Sequence, residues 1–536
     1  MKKIILLSSL AIPLVLAALC LKPLTHEGFD ISVDQEKLAG KKAFLLEEFK
    51  PASPARQPNI IVILADDLGL MDISLNGNAE IQTPHIDAIA REGVVCSQGY
   101  VSSAVCAPSR AGLLTGRYQQ RFGFENQEHD RYLRNKLEYY GTRLFVKTKP
   151  WIVQNMDAVP GPDNIAKQGL PPAEITLAEM LKKAGYQTAI TGKWHLGNTT
   201  FSRPAEFGFD YQYGFYASHS LYAPEGSPGI VDLKNKKDWT DQYIWKSQRN
   251  GKSAIYRNGE PIEEKGYLTQ RIADEAIGFI ERNRGNPFFL YVPFNAPHTP
   301  LQAPKEYFDR FPQQQDSVKR VYQAMIAALD DAVGRINDRV KSLGIEENTL
   351  IFFLSDNGGA TYTLTTDNGP LKGGKITGFE GGLRVPFFVK WKGVLPEHAV
   401  FEKPVSSLDI FATACAAAGA ALPTDRPYDG VDLLPFLSGV NKDAPHEALF
   451  WKAAATRIVL RDGWKLIFDD KWGQTLLYHL AADPYEKNNL AAADPARVEA
   501  LKTLHFDWSR DFPKALWPPM ITFVVEDKTG VYYFEI

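Results

Sequence analysis

Asn59-Ile60-Ile61-Val62-Ile63-Leu64-Ala65-Asp66-Asp67-Leu68-Gly69 is a nearly unbroken apolar, β-branched run that ends in two adjacent carboxylates. A strand that is apolar at every position has to be covered on both faces, as in a parallel sheet between helices. Three further runs repeat the arrangement. Tyr186 to Thr191 delivers Gly192-Lys193-Trp194-His195-Leu196-Gly197, Phe288 to Val292 delivers a loop carrying His298, and Leu350 to Leu354 delivers Ser355-Asp356-Asn357-Gly358-Gly359. Helical patterns lie between them: Pro84 to Arg91; Thr176 to Ala184, with Thr176 as cap and Gly185 as stop; about Leu268 to Arg282; and Val321 to Leu343, with Met325, Leu329, Val333, Ile336 and Val340 on one stripe. This alternation predicts a largely parallel α/β sheet. Such sheets collect their ligands outside the carboxyl ends of the strands, so the polar clusters are expected to converge. Asp66 and Asp67 would point to opposite sides of an extended strand. Both can serve one site only if the chain turns there, as Gly69 allows.

The 536 residues exceed what one core usually supports, which predicts a large domain and a smaller one. With 44% hydrophobic and 23% charged residues the composition is that of a soluble globular protein, and a formal charge of −3 provides no basic field for nucleic acid or a membrane surface. An anionic substrate must then be held by a few local cations. Met1-Lys2-Lys3 and the apolar run Ile4 to Cys20 read as a signal peptide over residues 1–21, with a signal or lipid anchor as the alternative. Export, to the periplasm or the medium, follows, with no integral membrane domain once the leader is removed. Residues 22–57 read as a lead-in segment without sustained periodicity that wraps the domain, residues 58–427 as the catalytic domain, and residues 428–536, where short strand patterns and a helix near Ala496 to Trp508 appear, as a smaller α+β subdomain. Of four cysteines, Cys96 and Cys415 read as buried thiols, too few for a disulfide framework.

Asp66, Asp67, Asp356 and Asn357 offer only oxygen ligands, which suits calcium, or magnesium, rather than zinc. Either cluster alone would pass for a turn; both on strands of one sheet favour a metal. Gly369 followed by Gly374-Lys375 mimics a phosphate-binding P-loop, but Ile376 stands where a Ser or Thr should bind magnesium, so a nucleotide site is rejected.

Cys106-Ala107-Pro108-Ser109-Arg110, continued by Leu114-Thr115-Gly116-Arg117, has the pattern Cys-x-Pro-Ser-Arg-x-x-x-Leu-Thr-Gly-Arg. It resembles the signature of the sulfatases. Gly192 to Gly197, Asn295-Ala296-Pro297-His298 and Gly373-Gly374-Lys375-Ile376-Thr377-Gly378-Phe379-Glu380-Gly381-Gly382 follow in family order, and the resemblance runs from about Asn59 to Leu490. It implies an alkaline-phosphatase-like fold with a large mixed, mainly parallel sheet, calcium on the four oxygen ligands, and hydrolysis of sulfate monoesters. It also implies that a maturation enzyme oxidises Cys106 to Cα-formylglycine. The hydrated aldehyde carries two hydroxyls on one carbon, so one can attack sulfur while the other later expels sulfate by C–O cleavage. In that scheme Arg110 holds the hydrate, Asp356 is its base, Lys193 and Lys375 hold sulfate oxygens, His195 assists elimination and His298 protonates the leaving alcohol. A phosphonate or phosphate ester hydrolase of the same superfamily is the rival enzyme, and a non-catalytic glycan-binding relative the rival of another class.

The segments Gln119 to Gly169 and Thr200 to Pro261 are rich in Tyr, Trp, Arg, Lys and Asn and flank Arg117 and His195. They suit a sugar-binding rim with His219 as a subsite contact, and so a sulfated polysaccharide or oligosaccharide, such as a galactan of the carrageenan type. Aromatic-rich loops packed on themselves are the alternative.

Overall fold

The computed structural model describes residues 20–536 except Glu27, residues 52–56 and residues 146–149. The leader expected over residues 1–21 thus lies almost wholly outside the described residues.

The four apolar runs form the centre of a ten-stranded sheet. Its order is Ala399–Phe401, Val94–Cys96, Phe387–Lys390, Thr349–Ser355, Asn59–Asp66, Phe288–Pro297, Gln187–Lys193, Tyr211–Phe215, Ile255–Arg257 and Glu260–Ile262. From Thr349–Ser355 to Tyr211–Phe215 all pairings are parallel, and the next pairing on either side is antiparallel, so the sheet is mixed. Every residue of Asn59–Asp66 is buried. Ile61, Ile63 and Ala65 face one core, against the helices Pro84–Arg91, Leu268–Asn283 and Ser317–Ser342; Ile60, Val62 and Leu64 face the other, against Cys106–Thr115, Leu177–Lys183 and Asp409–Ala417. Full burial of each large branched side chain contributes about 1.5–3 kcal/mol, which is why so apolar a run is stable only at the sheet centre.

The lead-in departs from the expectation of an aperiodic segment, for Gln35–Leu46 is a helix. Its apolar face is weak, and it is held by the Asp34 cap and by Lys41, whose Nζ is buried 2.7 Å from both Glu179 Oε1 and the Glu174 carbonyl. The aromatic stretch after Thr200 is corrected more sharply. Tyr213, Phe215, Tyr216 and Tyr222 are buried, and Tyr211–Phe215 is a strand of the main sheet, so these rings are core rather than a sugar-stacking rim. Tyr243, about half exposed, is the exception.

Toward the C-terminus, Leu449–Ala453, Thr456–Arg461, Trp464–Phe468 and Thr475–His479 make an antiparallel sheet backed by the helix Pro495–Ser509. The hairpin Ile521–Asp527 and Gly530–Glu535 takes Trp151–Val153 as its third strand. Lys465 joins this region to the main body. Its buried Nζ lies 2.8 Å from Glu380 Oε1 and 3.0 Å from Glu486 Oε1, and the Glu380 amide donates to Glu486 Oε2 at 2.7 Å. Among the described residues, no helix is long and apolar enough to cross a membrane, and Cys96 and Cys415 are buried, unpaired thiols.

Candidate active site

The central strands end side by side, which brings their polar tails together. Asp66 closes its strand, and the turn that re-aims the second carboxylate is made by Asp67 itself, at φ 65°. Gly69, at φ −68°, does not supply it. Gly69 is needed for space instead: a Cβ there would stand 2.3 Å from Asn368 Oδ1 and 2.7 Å from Asp72 Oδ2. Ser355-Asp356-Asn357 arrives from the parallel neighbour, the Asp356 amide donating to the Ala65 carbonyl at 3.0 Å and the Asp67 amide to Asp356 Oδ1 at 3.2 Å.

Three buried carboxylates there meet three buried cations. Lys193 Nζ donates to Asp66 Oδ2 at 2.7 Å and Lys375 Nζ to Asp67 Oδ2 at 2.9 Å. Arg110, wholly buried, places Nε 2.9 Å from Asp356 Oδ2 and NH1 2.9 Å from the Lys193 carbonyl. Burial pushes Asp66 up, but Lys193, His298 and Arg110 overcome it and hold the carboxyl below its ordinary range. Asp356 goes the other way: burial and the neighbouring Asp66 raise it.

Cys106 opens the helix Cys106–Thr115, buried, with Sγ 3.9 Å from Asp67 Oδ1. Burial pushes its thiol up to about 12 despite Lys193 and Lys375, so the unmodified side chain is a poor nucleophile at neutral pH. His298 bonds through Nδ1 to the Thr299 carbonyl at 2.6 Å and turns Nε2 toward Asp67 Oδ2 at 3.6 Å. His195 is buried at φ 56°, a conformation uncommon outside glycine, with Nδ1 unpartnered. Burial and then Lys193 hold its ring well below the ordinary histidine value. His219, also buried, bonds Ser218 Oγ through Nδ1 at 2.9 Å and leaves Nε2 without a partner.

The donor set fits a hard cation. Asp66 Oδ1 and Asn357 Oδ1 are buried oxygens with no hydrogen-bond partner, while Asn357 Nδ2 is spent on Asp67 Oδ1 at 2.8 Å. Ligand atoms of Asp66, Asp67, Cys106 and His298 lie within 4.8 Å of one another, which puts the thiol and the imidazole at the edge of the same acidic centre.

Asn368 is a residue the sequence did not announce. Its Nδ2 donates to the carbonyls of Gly359, Gly373 and Gly381 at 3.1, 3.0 and 3.3 Å, which clamps the loop carrying Lys375 against the Asp356 turn. Asp367-Asn368-Gly369 reads locally as a turn and nothing more.

A parallel-centred α/β sheet with a buried oxygen-rich centre, faced by two lysines and a cysteine at a helix start, has the fold of the alkaline-phosphatase-like ester hydrolases. The family model for sulfatases matches residues 58–420. The chain belongs to the sulfatase family and is a sulfuric ester hydrolase. It is 34% identical over 404 residues to N-acetylgalactosamine-6-sulfatase of Mus musculus, covering 74% of this chain and 69% of that one. It is 33% identical over 428 residues to an arylsulfatase of Hemicentrotus pulcherrimus, covering 78% and 69%. Among solved structures, Ps i-CgsB superposes with a TM-score of 0.71 at 30% identity over 86% of this chain and 95% of that one, and has also been solved in complex with k-i-k-neocarrahexaose. The phosphonate monoester hydrolase of Agrobacterium radiobacter shares the fold, with a TM-score of 0.56 at 20% identity over 89% of this chain and 99% of that one.

Proposed function

We propose that this sulfatase hydrolyses sulfate monoesters on a saccharide, with a sulfated galactan of the carrageenan type as the leading substrate class, after export and after oxidation of Cys106 to Cα-formylglycine by a maturation enzyme. The pairing of Lys193 with Asp66 and Lys375 with Asp67 around Cys106 carries the reading: two buried ammonium groups are collected where a sulfate would meet the nucleophile. The saccharide part rests on the likeness to N-acetylgalactosamine-6-sulfatase and to Ps i-CgsB. Residues 58–427 form the catalytic unit of this reading and residues 428–536 its subdomain.

Asp66, Asp67, Asp356 and Asn357 would hold the cation, calcium or magnesium, through their oxygens. When bound, it supplies positive charge that lowers the pKa of a nearby hydroxyl. Formylglycine at position 106 would supply, as its hydrate, one hydroxyl able to displace the alcohol from sulfur and a second whose deprotonation would release sulfate and restore the aldehyde. The chain's own residues do the rest. Arg110, fixed between Asp356 and the Lys193 carbonyl, orients the start of the helix that bears residue 106. Lys193 and Lys375 draw the sulfate oxygens as point charges. His298, with Nδ1 committed to the Thr299 carbonyl, offers Nε2 to the leaving oxygen. Asp356 takes the hydroxyl proton, and His195 stands ready for the elimination. His219, whose Nε2 has no partner, is the candidate subsite contact.

The test is sulfate release from desalted carrageenan, ulvan, fucoidan and glycosaminoglycan oligosaccharides by matured enzyme, beside aryl sulfate and aryl phosphate esters. Release from a saccharide with negligible phosphate turnover is expected. Hydrolysis of aryl sulfate with no saccharide turned over would overturn the saccharide reading, and faster phosphate than sulfate turnover the sulfatase chemistry.

A further inference from the structure

A cavity of about 720 Å³, large enough for a ligand of several rings, has on its wall Lys252, whose charge reaches His195 and His219 of the active centre. Its wall is built where Gly197 and Gly169 pair across a backbone bridge, the Leu170 amide donating to the Leu196 carbonyl at 2.9 Å. The crossing is so close that a Cβ on Gly169 would stand 3.0 Å from Gly197 Cα. It sets Gln168 and Asn198 together on the cavity wall, and Asn198 follows His195 by three residues. Lys252, also on the wall, adds to the burial that depresses His195 and His219.

What lines the cavity is unsatisfied. Glu128 Oε1, His129 Nε2, Gln168 Nε2 and Asn198 Oδ1 are buried atoms without hydrogen-bond partners. Gln168, 5% exposed, spends its Oε1 on the His129 amide at 2.9 Å and keeps its Nε2 beside Tyr132. Orphaned polar atoms of this number cost stability unless a ligand completes them. They are mixed donors and acceptors, and each could meet a hydroxyl, which is both. A sulfate only accepts. Gln168 Nε2 could serve it, but Glu128 and Asn198 Oδ1 would stand as acceptors opposite it, Lys252 is already paired with Asp130, and the exposed Arg131 and Arg134 both turn to Glu138. Burial pushes Glu128 up to about 7, so near neutrality its carboxyl can donate or accept, as a sugar hydroxyl can.

We propose that this cavity is a subsite for an unsulfated sugar ring joined to the ring that bears the reacting sulfate, recognised through Glu128, His129, Gln168 and Asn198. The inference rests on the saccharide reading above and deepens it: the enzyme selects for the absence of charge on the neighbouring ring as well as for sulfate at the centre.

Glu128→Ala and Asn198→Ala, each in the matured full-length enzyme, are compared with wild type on 4-nitrophenyl sulfate and on carrageenan tetrasaccharides sulfated on the galactose rings alone or on both ring types. Either substitution is expected to lower kcat/KM for the singly sulfated tetrasaccharide about tenfold, mainly through KM, and to leave the aryl sulfate within about twofold. Wild type is expected to prefer the tetrasaccharide whose neighbouring ring is uncharged, and Glu128→Lys to narrow that preference. Unchanged tetrasaccharide kinetics in both alanine variants, or equal losses on tetrasaccharide and aryl ester, would overturn the subsite. If wild type cleaves the aryl ester and neither tetrasaccharide, the carrageenan reading fails first and the subsite falls with it.

Discussion

Cys106 is a poor nucleophile as a thiol: burial pushes it up to about 12, and among the described residues no base stands within hydrogen-bond reach of Sγ other than the carboxylate of Asp67 at 3.9 Å. Under the proposed mechanism activity requires the modified residue, and mass spectrometry of the peptide spanning Cys106 in active enzyme is expected to show formylglycine. Cys106→Ala should lower kcat by about 10³-fold or more, since what remains is binding and electrostatics alone; active enzyme containing only unmodified cysteine would refute the mechanism. His298 makes a separable prediction. Because its Nδ1 is held by the Thr299 carbonyl and only Nε2 is offered to a leaving group, His298→Ala should cost about 10²–10⁴-fold on esters of sugar alcohols and far less on aryl sulfates, whose leaving group needs little protonation. Equal losses would assign His298 to sulfate binding instead. At this scale the sequence was informative about identity and poor about partners. The motif residues were nameable, but that Arg110 would be spent on Asp356, or that Asp67 rather than Gly69 would make the turn, depended on strands that meet only in the folded sheet.

The loop Gly373 to Gly382 shows how an element is fixed from outside itself. Asn368 clamps its carbonyls, the Ile376 amide donates to the Ala104 carbonyl at 2.8 Å, and Glu380 is tied to Lys465 and Glu486 of the C-terminal region. Lys465 is shared between two buried carboxylates, with Arg384 a more distant second cation 3.9 Å from Glu380. Burial pushes Glu486 up to about 7, Lys465 opposing it and Glu380 adding to it. A carboxyl raised in the folded state binds more protons there than in the unfolded chain, so its contribution is full below about pH 4.5 and is lost as pH rises through about 7. The thermal midpoint should accordingly fall from pH 5 to pH 7.5, and Glu486→Gln should flatten that slope. Lys465→Met should destabilise by about 3–5 kcal/mol, because it leaves buried Glu486 without its lysine and Glu380 with only Arg384, 3.9 Å away; an unchanged unfolding midpoint would show that the junction contributes nothing.

Across the whole molecule, the acidic centre draws on strands from both halves of the catalytic region, so a cation there should stabilise the folded chain as well as activate it. Chelation is expected to abolish sulfate release and lower the thermal midpoint, with both restored by calcium; at a concentration 100 times Kd the stabilisation would be about 2.7 kcal/mol. Full activity in metal-free protein would remove the cation from the mechanism. The sequence by itself determined the four buried strands, the helices between them and the motifs at their ends, because local periodicity and burial on both faces leave their mark along the chain. It determined the family as well, through Cys106 to Arg117 and the motifs that follow in order. Only the tertiary structure decided that Tyr213, Tyr216 and Tyr222 belong to the core, and that Gln168 and Asn198 share a cavity with Glu128 and Lys252. Contacts between residues tens to hundreds of positions apart have no local period, so nothing along the chain records them until the sheet has chosen its strand order.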